Sequence, residues 1–192
     1  MARKRDFRPD RPKISILSHL VLSKSQRRSL LKWGLYAAFL IFLSVAQDAG
    51  MSRVRLRGAT TELVPCGIFL ICILEGAQQG CIFALVASLL YLFSGSAPGI
   101  YSMVAITFLS VGVTIFRQTY LQERFSSAML CVTVAMLVYE LVNFAFGLFL
   151  RLTILERFPG FMITAGLTLL AAPLFYPLLR AIGKIGGQPW RM

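Results

Sequence analysis

Few residues in this chain could do chemistry inside apolar surroundings. Glu75, Gln78 and Gln79 open the stretch EGAQQGCIFALVASLLYLFSGSAPG, which is otherwise nearly devoid of polar bulk, and Glu140 and Asn143 interrupt a second apolar run. A carboxylate in mid-membrane is costly unless it is paired, protonated or set in a wet cavity. Thr133, Met136, Glu140, Asn143 and Gly147 fall on one face of a helix, so that face must point into a bundle. Two readings of it stand side by side. The face lines a polar cavity or a partner contact, or a protonated Glu140 is hydrogen-bonded across helices and holds the bundle together. Glu75 is expected at the cytoplasmic end of a short helix, within reach of water and lipid headgroups.

These residues do not add up to a catalytic centre. The single histidine, His19, lies in a basic N-terminal segment, so no Ser-His pair can form within the apolar blocks. Ser94-Gly95-Ser96 is therefore read as a turn rather than a nucleophile elbow. Asp6, Asp10 and Asp48 all lie outside the apolar blocks, which argues against a paired-aspartate membrane protease. There is no GxxxxGK[ST] loop for a nucleotide and no run of spaced arginines for a voltage sensor. Cys66, Cys72, Cys81 and Cys131 sit in apolar sequence with no CxxC pair and no histidine nearby, so they read as small hydrophobes rather than disulfide partners or metal ligands. The expectation is a non-enzymatic protein with no catalytic, cofactor or metal site.

Composition sets the solvent these residues meet. The chain is 57% hydrophobic and 15% charged, against the roughly 25% charge of a soluble domain. Its apolar residues come in long blocks rather than on one helical face, so the fold class is all-α, a polytopic membrane helical bundle. The net charge of +12 is concentrated at the N-terminus, where half of the Lys and Arg precede residue 33. No soluble basic domain exists to carry nucleic acid, and membrane topology with anionic headgroups explains the charge better.

Residues 1–29 form a basic cytoplasmic tail, 30–180 a transmembrane domain and 181–192 a second cytoplasmic tail. Within the first tail, Ile14 to Leu22 is too short to span. It is either an interfacial helix on anionic lipid or part of a disordered segment that only sets orientation. Spans are expected at 30–46, 100–116, 125–150 and 160–179, the last kinked by Pro173 and Pro177. The 31-residue apolar block 63–93 is too long for one span and short for two, so it is one long tilted helix or a hairpin turning near Glu75. The hairpin gives six spans and puts 15 of the 20 Lys and Arg on the cytoplasmic side, whereas the single helix gives five spans and 12. The positive-inside rule favours six.

Gly76, Gly80, Ala84 and Ser88 recur at i, i+4, which on a helix stacks them into a ridge without bulk. In a bilayer, close packing of small residues brings helices together, so this ridge is expected to face protein, as a helix-packing or partner contact. The helix that carries it reads as the centre of the bundle, with Phe83 on its opposite, indifferent face.

The order and spacing of several short segments resemble the MreD family of rod shape-determining membrane proteins, from about Leu30 to Lys184. Thr61-Glu62-Leu63 stands at the start of the second span, where that family tends to have a Pro-Asp-Leu-like segment. Glu75-Gly76-Ala77-Gln78-Gln79-Gly80 matches its EGxxxG turn, and Leu89 to Gly99 its leucine-rich stretch ending in Ser-Gly and a further Gly. Tyr139-Glu140-Leu141 and Ala172-Pro173-Leu174 fit as well. One position departs: the family commonly has an aspartate three residues before that serine, where this chain has Tyr91. The resemblance implies a non-enzymatic subunit of the complex that directs sidewall peptidoglycan synthesis in the bacterial inner membrane. It implies an MreC-like bitopic partner, with MreB filaments and membrane-bound wall synthases as neighbours. The family is similar in fold to the substrate-binding subunits of energy-coupling-factor importers, which leaves a small-solute binder as the alternative. The polar groups such a binder could use are chiefly Gln47, Glu62, Glu140 and Asn143.

Overall fold

The computed structural model describes residues 24–49, 61–120 and 125–185. They form six α-helices: α1 (Lys24–Ala49), α2 (Leu63–Glu75), α3 (Ala77–Phe93), α4 (Ile100–Tyr120), α5 (Phe125–Phe149) and α6 (Phe158–Ile185), with a 3-10 turn at Leu155–Arg157 before α6. Four of them, α1, α4, α5 and α6, are long and apolar enough to cross a membrane, and α2 and α3 are shorter apolar helices. This is an all-helical membrane protein. The expected interfacial or lipid-binding segment at 14–22, the arginines at 53, 55 and 57 and the end of the C-terminal tail lie outside the described residues.

Helix ends overrun the expected boundaries. α1 begins at Lys24, so Arg27, Arg28 and Ser29 belong to a helix rather than to a tail, and α6 continues past residue 180 to Ile185. Lys, Arg and Gln are good helix formers, and nothing in their chemistry stops a helix where its apolar core ends. α6 runs through Pro173 and Pro177 without a break.

The block 63–93 is two helices. Glu75 ends α2, Gly76 takes φ 89°, ψ 173°, and α3 starts at Ala77. That positive φ suits glycine and strains any residue with a Cβ. The Gly76 amide donates to Cys72 O at 3.0 Å, and the Gly80 amide donates to Gly76 O at 2.8 Å, so the turn closes one helix and opens the next. α3 then lies back along α2. A Cβ on Gly80 would stand 2.9 Å from Cys72 Cα and 3.0 Å from its carbonyl oxygen. The Cys72 thiol donates to Gly80 O at 3.1 Å across the same contact.

The centre of the bundle is α2, not the helix that follows Glu75. It packs against all five other helices, and every residue but Leu74 is buried. Its sequence, LVPCGIFLICILE, is apolar on all sides, which is the pattern of a helix with protein all round it. α3 instead buries one stripe, Gly80, Ala84, Ala87, Ser88 and Tyr91, and exposes Ile82, Leu85, Leu90 and Phe93.

The small ridge is therefore a packing surface within this chain. Gly80 meets α2, and Ser88 Oγ lies 3.1 Å from Thr107 Oγ1 on α4. Gly76 is not part of it, because the helix breaks there. With its own helices on that face, the ridge has no room for a partner chain. Phe83 is not indifferent either: its ring lies 5.3 Å from Trp33 and 6.1 Å from Tyr36 on α1, between centroids.

Gly80→Ala should lower stability by about 1–3 kcal/mol through overpacking against Cys72. Gly112→Ala, where a Cβ meets nothing within 4 Å, should be neutral or slightly stabilising. Thermal unfolding of both variants in detergent checks this, and equal melting points for the two would remove the contact from the account.

Candidate functional site

Polar side chains collect at the two ends of α2. A helix leaves its first N–H groups and last C=O groups without intrahelical partners, and α2 meets other helices where those groups emerge.

At the C-terminal end, Glu75 is buried, with only 5% of its surface exposed. Lys32 of α1 donates to its Oε2 and pairs with it, and the Tyr36 hydroxyl donates to its Oε1 at 2.6 Å. The closing end of α6 completes the enclosure: a Cβ on Gly183 would stand 3.0 Å from the Tyr36 hydroxyl and 3.5 Å from Glu75 Oε1. The expectation that water and headgroups reach Glu75 is thus overturned. A lysine forty-three residues earlier reaches it instead, one turn before Tyr36 on the same face of α1. Arg117, near the end of α4, donates from Nη1 to the Ile73 carbonyl and so satisfies one of the last groups of α2. A guanidinium at a helix C-terminus also meets the negative end of the helix dipole. Gln78 and Gln79 point outward on the first turn of α3 and join neither end.

At the N-terminal end, Gln47 from the last turn of α1 does the capping. Its Oε1 accepts from the amides of Leu63 and Val64 at 2.8 and 3.2 Å, and its Nε2 lies 3.4 Å from the Tyr91 hydroxyl of α3. Tyr91 donates to Ser96 O at 3.2 Å, and Ser96 Oγ lies 2.9 Å from both carboxylate oxygens of Asp48. The Glu62 amide donates to Thr168 Oγ1 of α6 at 3.0 Å. Tyr91, the departure from the MreD pattern, thus sits in a network that ties α1, α3 and the α3–α4 turn together.

Next to that network lies a second polar group of a different character. Tyr139, Glu140 and Asn143 of α5 are buried, and the Glu62 and Glu140 carboxyl groups lie close enough to feel each other's charge. The Tyr139 hydroxyl lies between the Glu62 carboxyl and the Asn143 amide, near enough to interact with both, but neither contact reaches good hydrogen-bond geometry, and both carboxylate oxygens of Glu140 have no partner at all. The face predicted from Met136, Glu140, Asn143 and Gly147 does point inward. Thr133 at its edge is half-buried and bonds its own helix, at Met129 O, 2.8 Å away. The cross-helix hydrogen bond expected of a protonated Glu140 is not made.

Of the polar groups read from the sequence, Glu62 lies near Glu140, whereas Gln47 caps α2 and reaches Tyr91. Lys32, Tyr36 and Arg117 went unread. The signal for Lys32 was a charge followed at i+4 by a tyrosine at the start of an apolar run, which is also how a plain boundary looks. All four cysteines are free, and among the described residues no group of three or more His, Cys, Asp or Glu is placed to hold a metal ion. No family model, curated protein or solved structure matches this chain.

Replacing one member of the Lys32–Glu75 pair strands a buried charge. Lys32→Met or Glu75→Gln alone should cost about 3–5 kcal/mol, and the double change Lys32→Met with Glu75→Leu should recover most of it. Unfolding in detergent reads the difference, and single variants as stable as the parent would show that the pair does not hold the bundle.

Proposed function

We propose that this chain is a non-enzymatic scaffold subunit of the bacterial cell-elongation complex, similar to MreD. It sits in the inner membrane, binds an MreC-like bitopic protein and works beside MreB filaments and wall synthases. The observation that carries this reading is the Glu75–Gly80 turn. The most distinctive segment of the resemblance, EGxxxG, has a physical reason for each of its letters here: the acid pairs with Lys32, the first glycine takes positive φ, and the second leaves room for Cys72. A sequence built around that turn is built for a rigid helical body rather than for chemistry.

The same turn supports six crossings with both termini cytoplasmic. Lys32 near the start of α1, Glu75 at the end of α2, Arg117 near the end of α4 and Gly183 near the end of α6 meet at one end of the bundle. Gln47 at the end of α1, Leu63 at the start of α2 and Tyr91 near the end of α3 meet at the other. Neighbouring helices thus alternate in direction, as the six-span count of positive charge requires. A reporter active only in the periplasm should stay silent when fused after Met192, and activity there would overturn this topology.

The second reading, a substrate-binding subunit of an energy-coupling-factor-type importer, is favoured by the unbonded groups around Glu140. Purification in mild detergent separates the two. The scaffold should carry a bitopic partner with a large outer domain, and its depletion should round the cells. Recovery of a transporter ATPase module instead, with a solute-uptake defect and normal rods, would replace the scaffold reading by the importer.

A further inference from the structure

Buried polar atoms without partners are rare, and each calls for an explanation. Elsewhere in this bundle each buried charge has at least one partner: Lys32 has Glu75, and Arg117 has the Ile73 carbonyl at Nη1, though not at Nε. Around Glu140 this does not hold. Both oxygens of Glu140, in the middle of α5, have no partner, and Glu62, Tyr139 and Asn143 beside it approach one another without a well-formed hydrogen bond. Glu140 and Tyr139 are fully buried, and Asn143 is 2% exposed.

Protonation alone does not resolve this. A neutral carboxyl group still presents an acceptor oxygen and a donor hydroxyl, and neither finds a partner around Glu140. Packing does not resolve it either, because desolvating an amide or hydroxyl without a partner is itself unfavourable. What the four residues share is oxygen: two carboxyl groups, an amide carbonyl and a phenol, with two negative charges at most and no buried base among them. Hard cations are held by such sets of carboxylate and carbonyl oxygens.

We propose that Glu62, Tyr139, Glu140 and Asn143 form a binding site for a small cation, either an inorganic ion or the ammonium group of a small solute. The cation neutralises the mutual repulsion of Glu62 and Glu140 and takes up the lone pairs of Asn143 Oδ1 and Tyr139. Tyr91, Tyr101 and, beyond Tyr91, Asp48 are the other titratable groups facing this region, and Gln47 and Thr168 hold the α2 terminus that positions Glu62. The site is independent of whether the chain is a scaffold or an importer subunit.

The test uses the full chain purified in detergent, at alkaline pH and constant ionic strength. Melting is followed with sodium, potassium, calcium or methylammonium chloride against the chloride of N-methylglucamine, a bulky organic cation, as the reference. One of the small cations should raise the melting point in a saturable way. A response to an inorganic ion assigns the site to it, and a response to methylammonium alone assigns it to a solute amine. Glu140→Gln keeps the shape and removes the charge, so it should fold, melt at or above the cation-free parent, and lose the shift. Asn143→Leu, which removes a ligand and leaves both acids, should move the half-saturating concentration upward at least tenfold. Melting points that are the same in every salt, or a shift that persists in Glu140→Gln, would overturn the site.

Discussion

The bundle depends on finding partners for the two ends of a short helix. α2 has thirteen residues, which at 1.5 Å each is about 20 Å, against a hydrocarbon core of about 30 Å. Its ends cannot both be hydrated, and within a membrane protein an unpaired backbone group costs several kcal/mol. The rest of the chain supplies what water does not. Gln47 and Thr168 take the first amides, while Gly76 and Arg117 take the last carbonyls. Four elements are thereby fixed to one axis by groups that have no other way to be satisfied.

The Glu75–Gly80 turn follows from the same constraint. A chain that leaves α2 inside the bundle must reverse at once, which requires a residue able to adopt positive φ and a second helix able to lie against the first with little between them. Gly76 and Gly80 meet those two needs. Glu75 is then trapped at the corner, and a buried carboxylate without a cation would oppose the fold. Lys32 turns that liability into a tether between α1 and the corner, and Tyr36 takes up the second oxygen.

Much of this architecture was legible in the sequence, and the parts that were not share a cause. The apolar blocks marked the helices because desolvation acts on every residue of a span. The break at Gly76 could be suspected from a glutamate and a glycine within a block of awkward length. That α2 lies at the centre was signalled by an apolar pattern without a polar face, but the small ridge on α3 drew more notice. The ridge does pack closely, against α2 at Gly80 and against α4 at Ser88. Lys32 and Arg117 resisted reading because each acts on a residue forty-three or forty-four positions away, and the capping role of Gln47 did so because its targets begin sixteen positions on. Polar residues at span boundaries look alike whether they face water or reach across to another helix, and only the rotation of each helix in the bundle tells them apart. Glu140 and Asn143 were legible as inward-facing, since a single helix's periodicity decides that much.

The central helix is made early and completed late. α2 emerges from the ribosome second, yet the group that receives its Glu62 amide is Thr168, 106 residues downstream. The carbonyl near the Tyr36 hydroxyl belongs to Leu179, 143 residues beyond it. The contact that joins α2 to α3, at Cys72 and Gly80, spans only eight residues and needs no later segment, whereas the Thr168 and Leu179 contacts need α6.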